Sequence, residues 1–227
     1  MKVPIAVVLA ILGCFSPEIQ AQGGLAEPRA DVAPVLFDET WAYLLAGDGK
    51  PIDLRQPISD LALFSASLNS KGELAGIPAS SPYAALPVRR HLVIAELSNS
   101  ALIHFVLSPE YPMRERLLAQ IAEAARGYDG VQIDFEAVPG YDAANFVSFL
   151  SCLRSLIQPR ILSAALPARW KRVDDAYDYA SISAVVDRVV VMAYDEHWSG
   201  SGPGSIASMD WCRRVAQYSL GTIGASK

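Results

Sequence analysis

Apolar and polar positions follow two different periods along this chain, and each change of period marks an element. In the stretch YDGVQIDFEAVPG, residues 128–140, Val131, Ile133 and Phe135 alternate with Gln132, Asp134 and Glu136. A period of two predicts a β-strand. One face of it is apolar and meets a packed layer; the other carries an amide and two carboxylates. Carboxylates are costly to bury without partners, so a strand that lines them up on an inward face has a use for them. The bland alternative is an exposed edge strand whose polar face is solvated.

Short apolar runs read as further strands at 40–47, 60–68, 91–97, 160–168 and 187–194, the pattern being looser before residue 91. Between them the pattern shifts to helical spacing. Residues 112–127 read as a helix, with Pro112 suited to its first turn, a stripe of Met113, Leu117, Leu118, Ile121 and Ala125, and Gly127 to end it. Residues 142–157 read as a second, with Phe146, Phe149, Leu150, Leu153 and Ile157 on one side. Shorter helices are expected at 175–186 and 207–221, and 69–90 reads mostly as loop. The chain holds no internal repeat, and its one linker-like stretch is 22–33.

Regular alternation of strand and helix predicts a parallel sheet with helices outside it, either doubly wound or a (β/α)8 barrel. No glycine-rich dinucleotide turn follows the first strand. Polar residues stand at the C-terminal ends of two strands, Asp134 and Glu136 on one, Tyr194 and Asp195 on another, which is where barrels keep their chemistry. The expected class is therefore α/β of the TIM-barrel type. Six strands are predicted where closure takes eight, and Lys227 stops where a seventh is due, so the barrel is expected to be incomplete.

Composition narrows the function. A chain of 227 residues, 52% hydrophobic and 19% charged, can bury a core, and one domain over 34–227 is expected. A net charge of −5 with no Lys/Arg run excludes a nucleic-acid binder. The start, MKVPIAVVLAILGCF followed by SPEIQAQGG, has the layout of an export signal over 1–21, too short to span a membrane. Export to the periplasm, cell envelope or medium is expected. Residues 11–14, ILGC, also resemble a lipoprotein box, which makes a lipid anchor at Cys14 the alternative. Cys152 and Cys212 are expected to be free, partly buried thiols. No metal-ligand spacing is present: His197, beside Asp195 and Glu196, lacks a spaced partner, and His91 and His104 show no pattern. No cofactor is implied.

Residues 129–136, DGVQIDFE, resemble the fourth-strand signature of family 18 glycoside hydrolases, the chitinase family, whose usual form is D-G-x-D-x-D-x-E. A second match agrees: VMAYDEHW, 191–198, is similar to the family's sixth-strand M-x-Y-D. The SGPG that follows and DAYDYASI before it resemble the branch acting on spore-cortex peptidoglycan. In element order the resemblance covers 33–227. It implies a retaining, substrate-assisted glycosidase acting on polymers that contain β-1,4-linked N-acetylglucosamine, peptidoglycan or chitin. By the match Glu136 is the general acid and then the base, its pKa raised by burial and by Asp134. Asp134 would orient the substrate's acetamido group and Tyr194 would hydrogen-bond its carbonyl. Asp195, Gln132, Met192 and Trp198 would line the sugar. Gln132 departs from the family's Asp; it is expected to hold Asp134 by hydrogen bonds. Asp129 is expected to make a structural hydrogen bond. Trp198 is either a sugar platform or a lid on the SGPG loop. Trp41, Tyr43, Trp170 and Trp211 are expected to pack, and Met192 to fill the barrel below the sugar. Two other readings compete: a barrel that binds glycan without cutting it, against which Glu136 argues, and an inactive fragment of a longer hydrolase, C-terminally truncated.

Overall fold

The computed structural model describes residues 7–8, 37–45, 57–80, 83–224 and 227. The expected signal at 1–21 with Cys14, and the linker at 22–33, lie outside these residues except for Val7–Val8. The strands are β1 (Val7–Val8), β2 (Thr40–Leu45), β3 (Asp60–Leu68), β4 (Leu74–Ala75), β5 (Arg89–Glu96), β6 (Gly130–Phe135), β7 (Ile161–Pro167) and β8 (Arg188–Met192). The helices are α1 (Ser100–Leu107), α2 (Pro112–Ala124), α3 (Ala143–Ile157), α4 (Tyr179–Val185) and α5 (Met209–Ile223). The sheet runs β1-β2-β3-β5-β6-β7-β8, every pair parallel, with β4 antiparallel on β3.

The six longer parallel strands are those expected from the sequence, and each gives its two faces to different layers. Leu61, Leu63, Leu92, Ile94, Val131, Ile133, Phe135, Leu162, Ala164 and Leu166 meet the helices in one continuous core. Phe146, Phe149, Leu150 and Leu153 of α3 come to it from outside, as the stripe requires. Trp41, Ala62 and Val93, with Tyr43 and Phe64 against them, form a second, smaller cluster on the other face. That inner face is concave. The Tyr43 hydroxyl donates to Gln132 Oε1 at 2.7 Å, joining β2 to β6 across it. Arg188 at the start of β8 donates Nε and Nη2 to Glu39, just ahead of β2, at 2.9 and 2.8 Å. The sheet is curled with its helices outside, a (β/α) barrel arrangement that is incomplete.

Two elements differ from expectation. The helix α1 is absent from the predicted set, because SALIHFVL has no polar period to reveal it; its start is set by Asn99, whose side chain accepts from Leu102 N at 3.0 Å. The helix expected from 175 starts at 179, because Asp175 accepts the Tyr177 amide in a turn of its own.

A charged layer floors the inner face at the N-terminal ends of the strands. Asp60, wholly buried, accepts from Arg89 Nε (2.7 Å), Arg89 Nη2 (2.6 Å) and Ser59 Oγ (2.6 Å), and pairs with His91 Nε2 (2.7 Å). The His91 ring lies 4.2 Å from that of Trp41 and close over Gly130, where a Cβ would come within 2.4 Å of its Nδ1. Glu39 bridges Arg89 and Arg188. Asp129 Oδ2 takes the Arg90 backbone N–H at 2.8 Å where β6 begins.

Candidate active site

Strand β6 is central, between β5 and β7, and all six of its residues are buried, which disposes of the exposed-edge reading. Its alternation sends Val131, Ile133 and Phe135 to the helices and Gln132 and Asp134 into the barrel. Glu136 follows at the exposed lip, its amide bonded to the Glu96 carbonyl of β5 at 3.0 Å. At the corresponding end of β8, Val190 and Met192 share the inner side, and Tyr194 and Asp195 come next. Met192 and Tyr194 are half-buried. Asp195 adopts φ 62°, the left-handed backbone that Asp and Asn tolerate better than most side chains.

Electrostatic coupling brings these groups together. Burial, then the charge of Glu136, pushes the Asp134 carboxyl up to about 7. Burial and the charge of Asp195 raise Glu136. Asp195, which follows β8, adds to the expected Asp134 in acting on Glu136, since the repulsion between Asp134 and Glu136 is mutual. Tyr194 is pushed up to about 12 by burial and by Asp134, Glu136 and Asp195 together. Tyr43, raised mainly by burial, also feels Asp134 and Tyr194.

Gln132 corrects an expectation. It does not hold Asp134: its Oε1 takes the Tyr43 hydroxyl, and its Nε2 reaches Ser163 Oγ on β7 at 3.3 Å. The amide therefore ties β2, β6 and β7 below the site. Asp134 Oδ1 is left buried with no hydrogen-bond partner among the described residues. A buried oxygen in that condition costs about 1–3 kcal/mol until a donor arrives.

One residue of the site escaped the sequence reading. The Tyr177 hydroxyl donates to the Phe135 carbonyl at 2.8 Å and accepts the Val138 amide at 3.1 Å. It thereby clamps the backbone on both sides of Glu136. Its loop is braced in turn by Asp175, which takes the Tyr177 amide (2.9 Å) and Arg169 Nη2 (2.5 Å). Only its place in DAYDYASI marked it.

The aromatic expectations divide. Trp198 is 63% exposed, and its ring lies against Gly200, where a Cβ would meet it at 2.3 Å. Trp41 is buried, as expected, and Tyr43 packs but also bonds Gln132. Trp170 does not pack: it is 48% exposed, with Lys171 Nζ 4.7 Å and Arg214 Cζ 5.9 Å from its ring centroid. Trp211 is half-buried, its indole N–H without an acceptor among the described residues. Of the two free thiols, Cys152 is exposed and only Cys212 is partly buried. Glu196 holds Ser208, the residue that caps helix α5, by taking its amide and hydroxyl, and His197 Nδ1 bonds the Ser205 carbonyl. Among the described residues no three His, Cys, Asp or Glu side chains cluster as metal ligands, and no helix is long and apolar enough to cross a membrane.

The model of the glycosyl hydrolases of family 18 matches residues 97–219, which contain Asp134, Glu136, Tyr194 and Asp195. YdhD of Bacillus subtilis, named as a sporulation-specific glycosylase, is 35% identical over 139 residues, 57% of this chain and 32% of its own. Its crystal structure superposes with a TM-score of 0.66 over 73% of this chain and 60% of that one, at 29% identity. The cortical fragment-lytic enzyme of B. subtilis is 29% identical over 60% of this chain and 34% of its own. A chitinase from Chromobacterium violaceum shares the fold, at a TM-score of 0.65 and 22% identity over 74% of this chain and 58% of that one. The chain spans about a third of the length of the curated relatives it matches.

Proposed function

Since the chain belongs to the glycosyl hydrolases of family 18, we propose that it cleaves polymers containing β-1,4-linked N-acetylglucosamine by a retaining, substrate-assisted route. The observation that carries the reading is the pairing of a buried, unpartnered Asp134 oxygen with a raised Glu136 carboxyl at the lip. Glu136, kept protonated to higher pH than an ordinary glutamate, donates its proton to the glycosidic oxygen as the bond to C1 breaks. The substrate's own acetamido oxygen closes on C1 from the opposite face, so the protein supplies no nucleophile. Asp134 accepts the acetamido N–H on its vacant oxygen, which removes the cost of that orphan and stabilises the positive oxazolinium. Tyr194, held as a neutral phenol, donates to the acetamido oxygen. Water then adds to C1 and displaces the acetamido oxygen, restoring the amide, as Glu136, now a carboxylate, takes the water's proton. Asp195, Met192, Trp198 and, below Asp134, Gln132 shape the sugar site.

YdhD and the cortical fragment-lytic enzyme are the observation that favours peptidoglycan over chitin as the polymer. The export reading of 1–21, with lipidation at Cys14 as the alternative, puts this chemistry in the cell envelope or beyond it.

Release of a fluorophore from N-acetylglucosamine oligomers, beside solubilisation of purified peptidoglycan, tests the reading. Glu136→Gln is expected to cut turnover by about a thousandfold with an unchanged circular dichroism spectrum. Equal turnover in the two proteins would sink it. Glycan binding without turnover in the unaltered chain would leave a binding barrel instead.

A further inference from the structure

The net charge is −5, yet residues 169–172, Arg-Trp-Lys-Arg, place three cations within four positions. Trp170 interrupts the series, so they form no unbroken basic run. They lie in the loop after β7, at the same end of the parallel sheet as Glu136. Tyr177, in that same loop, holds the backbone on both sides of Glu136. Arg214, on α5, has its Cζ 5.9 Å from the Trp170 ring centroid and lies 4.0 Å from Glu196, next to Asp195. The cluster therefore draws on the loop that holds Tyr177 and on the helix that follows Asp195.

Its cations are not equally engaged. Arg169 is paired with Asp175 at 2.5 Å, and Arg214 stands at the longer distance of 4.0 Å from Glu196. Lys171 and Arg172 are exposed and have no carboxylate partner among the described residues. Trp170 holds Lys171 Nζ over its ring at 4.7 Å, so the ring gathers positive charge where a sugar-stacking tryptophan would offer a free face. A neutral polysaccharide has nothing to set against such a cluster. A glycan with a carboxylate on its sugars does.

We propose that Lys171 and Arg214 at the Trp170 ring, with the neighbouring exposed Arg172, form a carboxylate-binding subsite at the Glu136 end of the barrel, so that the preferred polymer is an N-acetylated glycan carrying acidic substituents such as a 3-O-lactyl ether. The subsite rests on the glycosidase reading for its polymer. It contributes binding and register; the bond-breaking groups remain Glu136 and Asp134.

The test is calorimetric titration of the full chain carrying Glu136→Gln, so that nothing is consumed. Three probes of equal length are compared: a soluble fragment alternating N-acetylglucosamine with N-acetylmuramic acid, the same fragment with its carboxyls amidated, and a neutral chito-oligosaccharide. The carboxylated probe is expected to bind at least tenfold more tightly than the other two, and raising salt should erase the difference. Lys171→Ala with Arg172→Ala, at two exposed positions, should remove that advantage and leave neutral affinity within twofold. Equal affinity for all three probes, an advantage that survives the double substitution, or binding of none would overturn the proposal. Turnover is read separately on the unaltered chain. Preference without turnover would sink the glycosidase reading and leave the subsite standing; turnover without preference would do the reverse.

Discussion

The two ends of the barrel interior hold the same kinds of side chain and treat them in opposite ways. At the N-terminal end every carboxylate has a cation. Burial pushes Asp60 up, but hydrogen bonds from His91, Arg89 and Ser59 outweigh it and hold the group at about 2. The Arg188 hydrogen bond, helped by Arg89, holds Glu39 at about 2 against its burial. At the C-terminal end, Asp134, Glu136 and Asp195 crowd together, and no salt bridge reaches any of them among the described residues. Burial and mutual repulsion raise the first two. A carboxylate with a partner steadies the fold; one left without a partner stores a cost that only a ligand removes. Residue type does not separate these roles, and pairing does.

Substitutions can break that contrast. The largest structural effect is expected from Asp60→Ala, which strips Arg89 and His91 of a shared buried acceptor and should cost about 3–5 kcal/mol. A denaturant midpoint measures it, and turnover per folded molecule should hold. Asp134→Asn should act in the other sense. Its folded pKa, about 7, lies above the unfolded value near 4. The native state therefore binds the extra proton between those values, and stability falls as pH rises through the window. The amide removes that penalty, so the variant should gain on the order of 3 kcal/mol at pH 8 and nothing at pH 3.5, while turnover drops by at least a hundredfold. Melting curves at the two pH values settle the sign. A loss of stability at pH 8 would break the comparison.

Acid titration sharpens the other side. Asp60 and Glu39 have depressed pKa values, so their contribution is complete above the unfolded values near 4. It is lost as pH falls toward 2. Protection by Arg89 and Arg188 should vanish over that window and no higher. Tyr177→Phe removes both hydrogen bonds that flank Glu136; a cost of about 1–3 kcal/mol should come with a fall in kcat and little change in KM. The smallest effect is expected from Ser208→Ala at the start of α5, about 1 kcal/mol in thermal unfolding, with kcat unchanged.

Legibility in the amino-acid sequence divides along the same physical line. Alternation located β6 and short apolar runs the other five longer strands, because burial leaves a local mark in the order of residues. Asp134 and Glu136 stood out for the same reason. The floor of the barrel did not: Glu39 and Arg188 are 149 residues apart and Asp60 and His91 are 31 apart, so only the curl of the sheet introduces them. Gln132 was seen, but its partners were not, since Tyr43 lies 89 residues away on another strand. Tyr177 acts through its hydroxyl on backbone atoms 42 and 39 residues distant, and such a contact leaves no periodic trace. The helix α1 was hidden by its own uniform apolarity.

The left-handed backbone at Asp195 bears on how any saturation library at that position is read. Valine, isoleucine and threonine there would fail for reasons of conformation before their chemistry was ever sampled, and alanine would combine both losses. Asparagine and glycine tolerate the twist, so they alone report on the missing charge. A tolerance map that averages over all replacements at 195 would score the turn and attribute the result to the sugar.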